Sequence, residues 1–93
     1  MELPINYNHI SIPEKKIVRN EYAIRQEGKC WHCGNKLNSL PAHEVLTAVI
    51  DHYLFPEGFF DYPVHLHHNH DTGMTIGVVH ARCNAFLWQF LGE

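Results

Sequence analysis

The pattern of apolar and polar residues is clearest in the last third of the chain. Apolar residues alternate with histidines through residues 64–67, which is typical of a half-buried β-strand. Residues 69–73 are turn-forming types, and residues 75–79 are β-branched apart from Gly77, which predicts a turn and a second strand. From His80 onward apolar residues recur at steps of three and four, which predicts a helix. We therefore expect strand, turn, strand and helix in this order.

The first third of the chain predicts an extended arm followed by a helix. Residues 1–12 are mixed in character and favour the arm. Ser11 and Pro13 are typical of a helix start and Gly28 of a helix stop, so we expect the helix to reach about Gln26. Its predicted apolar stripe consists of Ile17, Val18, Tyr22 and Ile24. The opposite face carries four cations, which we interpret as a solvated surface, with a phosphate-contacting face as the alternative: Lys15, Lys16, Arg19 and Arg25.

Residues 38–63 carry the weakest pattern. The apolar residues after Pro41 are consistent with a short helix to about Tyr53, and a looser excursion fits equally well. Residues 55–58 have the composition of a turn. This stretch therefore predicts a helical insertion between two better-defined parts of the chain.

The length of 93 residues predicts one domain near the lower limit for an independent hydrophobic core. Such domains are often stapled by disulfides, a metal ion or a partner chain. The three cysteines cannot all pair within one chain, so a pure disulfide framework is disfavoured. No signal-peptide pattern or membrane-spanning apolar run occurs, which predicts a soluble, cytoplasmic protein with reduced thiols. We expect one α+β domain over 1–93, with an arm and helix in 1–29 and the other elements in 30–93.

The distribution of charge argues against a tight, autonomous DNA binder. The net charge is −3; residues 1–36 carry six basic and four acidic groups, whereas residues 37–93 carry one basic and six acidic groups. A basic footprint that could contact many phosphates is absent. If DNA is the substrate, the N-terminal half, a bound metal or a second subunit must contribute positive charge.

Two short motifs predict a zinc site. Residues 30–34, Cys-Trp-His-Cys-Gly, have the form of a zinc knuckle, although a C-x-x-C pair alone also fits a redox pair or two unrelated cysteines. Residues 80–83, His-Ala-Arg-Cys, repeat the two-residue gap, and thiolates with one imidazole suit tetrahedral Zn²⁺. The predicted structural zinc ligands are Cys30, Cys33, His80 and Cys83. His32 is the rival for the histidine position, and Trp31 and Trp88 are interpreted as packing residues.

A second, more open site is predicted from the histidines between residues 65 and 70 together with Asn84. Neighbouring strand residues point to opposite faces, so His67 and His68 do not easily share one ion. At a strand end, one such histidine can bind an ion while the other moves a proton. An imidazole and an amide would leave positions for water and phosphate oxygens, which suits a single Mg²⁺-type ion. We interpret His65 as a surface strand residue or as a hydrogen-bond donor to a ligand.

The order of these motifs resembles the ββα-metal (HNH, or His-Me finger) endonucleases, most closely the phage recombination endonuclease VII type. The resemblance covers residues 30–37 and 64–88. It consists of the C-x-x-C pair, a strand ending in His-His-Asn-His-Asp before a Thr-Gly turn, a second strand, and His-Ala-Arg-Cys-Asn. The resemblance implies a ββα-metal motif in the C-terminal part of the domain.

The resemblance also implies residue roles. His67 and Asn84 stand at the positions that bind a catalytic divalent ion, commonly Mg²⁺. His68 stands at the position of the general base that activates the attacking water. His70 matches a histidine near the scissile phosphate. The implied reaction is hydrolysis of DNA to 5′-phosphate and 3′-hydroxyl ends.

Three departures from the family pattern change the expectations. His80 replaces a cysteine, which is compatible with zinc because Cys₃His sites are common. His67 replaces an acidic ligand, which favours Mn²⁺, Co²⁺ or Ni²⁺ over the harder Mg²⁺. In the second strand Ile76 precedes Gly77 at the position where the family has an arginine, and Arg82 is a candidate replacement for that phosphate contact.

The resemblance implies a metal-dependent DNA endonuclease with one active site per chain. It would nick DNA, and a double-strand break would require a homodimer or two successive nicks. DNA is the implied partner, with a second copy or a phage packaging or replication protein as further candidates. The alternative is a non-catalytic zinc module that binds nucleic acid or protein. A third interpretation, a histidine-rich metal buffer, requires several exchangeable ions per chain.

Overall fold

The structure, a computed structural model, describes all 93 residues and contains three α-helices and one two-stranded antiparallel sheet. The helices are α1 (Ile12–Arg25), α2 (His43–Thr47) and α3 (Ala81–Leu91), and the strands are β1 (Val64–His68) and β2 (Thr75–His80). Two 3₁₀ turns lie at Tyr7–His9 and His52–Leu54. None of the helices has the length and apolarity needed to cross a membrane. The predicted small α+β domain is confirmed, with strand, turn, strand and helix in the predicted order.

Local side-chain chemistry explains where α1 begins. The Ser11 hydroxyl accepts a hydrogen bond from the Glu14 backbone N–H, and the Glu14 carboxylate accepts one from the Ser11 N–H. This reciprocal capping box satisfies N–H groups that have no partner inside the helix, and Pro13 fits the first turn. The helix ends before Gly28, whose φ is +73°. The predicted helix bounds are confirmed.

Only one narrow side of α1 meets the core. Val18 and Tyr22, four residues apart, are buried, whereas Ile17 and Ile24 are mostly exposed. The predicted apolar stripe is therefore confirmed for Val18 and Tyr22 and wrong for Ile17 and Ile24. Residues four apart share a helix face, while Ile17 and Ile24 are rotated away from that face.

The middle of the chain is less helical than predicted. Helix α2 ends at Thr47, and Ala48 is extended with ψ of 140°. The Arg82 guanidinium donates to the backbone carbonyls of Val45, Leu46 and Ala48 at 3.1, 3.3 and 2.8 Å. These bonds satisfy carbonyls that a longer helix would have used internally. Arg82 therefore caps α2, which contradicts its interpretation as a replacement phosphate contact.

The hairpin of β1 and β2 forms the centre of the domain. Both α1 and α3 pack against it, and α2 packs against α3. The core is formed by Val18, Tyr22, Leu66, Val78, Val79 and Leu87, together with the thiols of Cys30 and Cys83. Strand pairing slips between His67, opposite Gly77, and His68, opposite Thr75. Such an irregularity redirects side chains at a strand end, and here it lies at the two adjacent histidines.

The N-terminal arm is bound to the hairpin, and the 3₁₀ turn at Tyr7–His9 interrupts the extended arm that the sequence predicted. The Ile5 N–H donates to Thr75 Oγ1 at 3.0 Å, and the Thr75 N–H donates to the Ile5 carbonyl at 2.9 Å. The Tyr7 N–H donates to the Gly73 carbonyl at 2.8 Å. A side chain at Gly73 would lie 2.8 Å from Asn6 Oδ1, so the arm and turn require glycine there. The arm therefore brings Tyr7 beside the end of β1.

We expect Gly77→Ala to destabilise the fold. An added Cβ would lie 2.7 Å from Gln26 Oε1 and 3.1 Å from Trp31 Cβ. Gln26 cannot easily move, because its amide accepts from the Val78 N–H and donates to the Val78 carbonyl. We expect a loss of about 1–3 kcal/mol in the free energy of unfolding, measured by urea denaturation. The exposed Asn20→Ala is the control, and an unchanged Gly77→Ala midpoint would contradict this account of the site.

Candidate metal centre and histidine cleft

The four predicted zinc ligands meet in one cluster. The four ligand atoms all lie within 4.8 Å of one another: Sγ of Cys30, Cys33 and Cys83, and one ring nitrogen of His80. His80 Nδ1 is 3.5 Å from Cys33 Sγ and 3.6 Å from Cys83 Sγ. A tetrahedral zinc ion with ordinary Zn–N and Zn–S bonds produces an N–S edge of about 3.6 Å. The cluster is therefore compatible with a structural zinc ion.

A hydrogen bond at Nε2 of His80 fixes the ring so that Nδ1 faces the thiols. His80 Nε2 donates to the Lys36 carbonyl at 2.9 Å. Nδ1 is then the unprotonated nitrogen, which is the form that can bind a metal. Metal-binding histidines commonly donate their other N–H to a carbonyl in this way. The bond also joins the last residue of β2 to the knuckle, because Lys36 pairs with Lys29 beside Cys30.

The thiols influence one another strongly because they share a small volume. A hydrogen bond with the Cys83 thiol lowers the pKa of Cys30 to about 4, and burial opposes this shift. The same hydrogen bond, together with burial and the negative charge on Cys30, raises the pKa of Cys83. One thiolate therefore forms readily, and the remaining thiol protons would be released on metal binding.

His32 does not belong to the cluster. Its ring packs against Phe86, with centroids 5.4 Å apart, and the ligand group contains His80 instead. The rival ligand set with His32 is therefore wrong. The knuckle backbone turns so that Cys30 and Cys33 face the same volume, while His32 packs on Phe86 of α3.

His67 is the most buried histidine of the second predicted site, and one of its nitrogens has no partner. The residue is 1% exposed, and its Nε2 is buried without a hydrogen bond. Burial lowers the pKa of His67, and the Asn84 side chain opposes the shift. The ring is therefore neutral at pH 7 and presents an unsatisfied nitrogen, which is the state that binds a metal ion.

Asn84, in the first turn of α3, faces the same side of β1 as His67. Its amide nitrogen donates to His65 Nδ1 at 3.1 Å, and its amide oxygen is the acceptor of this side chain. His65 and His67 are two residues apart and share a strand face, so both approach Asn84. His65 therefore does hydrogen-bond a predicted ligand, but as the acceptor and not as the predicted donor.

The ring of His68 is held on one side by the arm. Tyr7 stacks on it with a centroid distance of 4.0 Å and an angle of 6° between the planes. His70 lies near, with its centroid 4.7 Å away. Burial lowers the pKa of His68, and the neighbouring His70 and His67 lower it further. His68 is therefore neutral at pH 7 and half-buried.

His70 and Trp88 are paired at the rim of this region. The Trp88 Nε1–H donates to His70 Nε2 at 2.9 Å, so the proton of the neutral His70 ring is on Nδ1. The His70 residue is exposed and its Nδ1–H is free to donate. Trp88 is 49% exposed, so its interpretation as a core packing residue of the last helix is wrong.

The residues of the second predicted site line one open cleft of about 920 Å³. These are His67, His68, His70 and Asn84. Lys15 and Arg19 of α1 also line the cleft and are half-buried, whereas Lys16 and Arg25 are exposed. The i, i+4 spacing of Lys15 and Arg19 was a signal that they share a face. The sequence held no signal that this face meets the histidines, because the contact depends on how α1 packs on the hairpin.

Comparisons of the chain with protein-family models, with curated proteins and with solved structures give no match.

Proposed function

We propose that this protein is a metal-dependent endonuclease of the ββα-metal (HNH) type that hydrolyses DNA. The observation that carries the proposal is the buried, unpartnered His67 Nε2 in a cleft shared with Asn84 and His68. Buried nitrogen atoms are rarely unsatisfied in proteins, so this one, in a cleft shared with the Asn84 amide, suggests a metal ligand. The strand, turn, strand and helix over 64–91 support the same proposal.

His67 and Asn84 are the residues that would hold the catalytic ion. Both side chains are neutral ligands, so they would not cancel the charge of the ion. The positive charge of the ion would therefore remain to attract a phosphate group. An imidazole and an amide without a carboxylate suit Mn²⁺, Co²⁺ or Ni²⁺ as well as Mg²⁺. An ion bound there would supply Lewis-acid stabilisation of the charge on the reacting phosphate.

His68 is the proposed general base. It takes a proton from a water molecule as the water oxygen attacks phosphorus. The bond from phosphorus to the 3′ oxygen breaks, and this oxygen leaves with the electron pair and takes a proton from solvent to become the 3′-hydroxyl end. A general base must be unprotonated at the working pH, and the lowered pKa of His68 meets this requirement. Tyr7 stacks on the ring and restricts its rotation. His70 is proposed to donate its free N–H to a phosphate oxygen.

The Cys₃His cluster is proposed to hold a structural zinc ion that positions this site. His80 ends β2, and Cys83 directly precedes Asn84 in α3. Ligation at both positions would restrain the start of α3 and therefore the direction of the Asn84 amide. A metal that holds the fold would thus also align the proposed catalytic residues.

A plasmid assay tests the proposal. We expect the zinc-loaded full chain to nick supercoiled DNA when Mg²⁺ or Mn²⁺ is present, and not in buffer without added divalent ions. Asn84→Ala should lower the rate at limiting metal concentration, and more metal should restore part of it, because this variant weakens ion binding. No cleavage with any metal, from folded and zinc-loaded protein, would contradict the proposal.

The alternative is a zinc module that binds a protein or nucleic acid without catalysis. The observation that favours it is the closed Cys₃His cluster, which needs none of the cleft residues, and the net charge of −5 over residues 37–93 favours a protein partner. Metal stoichiometry separates the two functions. A pure binding module would hold one tightly bound ion, whereas the proposed nuclease would bind a second, exchangeable ion at His67 and Asn84.

A further inference from the structure

We infer that Lys15 and Arg19 form a phosphate-binding wall that holds the nucleic-acid backbone next to the phosphate at His68. We call these two residues the phosphate wall. The inference rests on the proposed function, because it assigns the sequence-independent contacts to the substrate of the same cleft.

Lys15 is connected to the proposed base by two ring contacts. Its Nζ lies 3.9 Å from the centroid of the Tyr7 ring, and Tyr7 stacks on His68 at 4.0 Å. A cation over an aromatic face is held by the ring quadrupole, so the ammonium group has a defined place in the cleft. A phosphate next to the one at His68 would therefore meet a positioned cation.

Arg19 lies one helical turn beyond Lys15 on the same face of α1. Four residues of helix rise by about 6 Å, which is the scale of the step between neighbouring phosphates on one strand. Arg19 also presents a planar guanidinium, which binds phosphate oxygens in pairs. The two cations can therefore contact successive phosphates of one strand.

Neither cation of the phosphate wall is neutralised within the protein. The single ion pair of the structure joins Arg25 to Glu21 on another part of α1. Glu57 is the only carboxylate that lines the cleft. A half-buried cation without a counterion has lost solvation that an anionic ligand can replace. The cleft is therefore locally basic in a chain whose net charge is −3.

Salt-dependent binding tests the inference. Binding of a short fluorescein-labelled DNA duplex to the zinc-loaded full chain is measured by anisotropy over a range of NaCl concentrations. All proteins carry His68→Ala to prevent cleavage. We compare Lys15→Gln/Arg19→Gln with the matched control Lys16→Gln/Lys29→Gln, which removes two exposed cations outside the cleft.

We expect the wall variant to bind about tenfold more weakly at low salt. The slope of log Kd against log salt should also fall by about 2, because two phosphate contacts are lost. The control variant should change the slope much less. The variant Lys15→Arg/Arg19→Lys, which keeps both charges, should recover most of the wild-type slope. Equal slope changes in the wall variant and the control would overturn the inference, even if the wild type cleaves DNA. Absence of both DNA binding and cleavage would overturn it together with the proposed function.

Discussion

Replacing Cys33 with alanine is expected to unfold the protein or to lower its melting temperature drastically. A structural zinc ion contributes about 10–16 kcal/mol in small zinc domains, whereas the whole stability of a domain is about 5–15 kcal/mol. Cys33 is the least buried of the three cluster thiols, so the substitution leaves little cavity in the core. The expected loss therefore comes from the missing metal ligand. Circular dichroism melting curves with and without a zinc chelator measure it.

His32→Ala is the matched control for this experiment. His32 lies next to Cys33 but packs against Phe86 and is not part of the ligand cluster. We expect the control to remain folded and to retain one zinc ion per chain, with a small loss from reduced packing. If Cys33→Ala melts at the wild-type temperature, the zinc assignment is wrong.

His68→Ala is expected to lower the rate of metal-dependent DNA cleavage by about 10²- to 10⁴-fold. The variant removes the proposed proton acceptor and leaves the ligand atoms of His67 and Asn84 in place. Because His68 is half-buried at the end of β1, we expect the fold and the zinc content to remain. Single-turnover cleavage at saturating protein and metal measures the chemical step.

His43→Ala serves as the control for His68→Ala. His43 is an exposed histidine in α2 and does not line the cleft. We expect it to cleave at the wild-type rate under the same conditions. A His68→Ala protein that is folded, zinc-loaded and as active as the control would show that another group accepts the proton.

Local residue chemistry made several parts of the fold predictable. The start of α1 depends on Ser11 and Glu14, which lie three residues apart and bond directly to each other. The hairpin of β1 and β2 follows from alternation, turn-forming residues and β-branched residues within one continuous stretch. These signals act over short distances along the chain, so the sequence contains them completely.

The zinc ligand set was also predictable, although its halves are far apart in the chain. Each half carries the two-residue gap between ligands that a metal ion requires, and three thiols need one more donor to complete a tetrahedral set. The structure agrees with this set and supplies the Lys36 carbonyl that orients His80. The sequence could not identify that carbonyl, because every residue has one.

Tertiary packing alone determined which charged side chains could reach the cleft. Lys15 and Lys16 are adjacent and chemically identical, yet only Lys15 lies over Tyr7 in the cleft. Arg82 appeared free in the sequence but donates to three carbonyls at least 34 residues away. The ligand types and short motifs could be read locally from the chain. Which contacts each cation makes depends on the rotation of its helix and on long-range hydrogen bonds. Both are decided only when α1, α2 and the hairpin pack together.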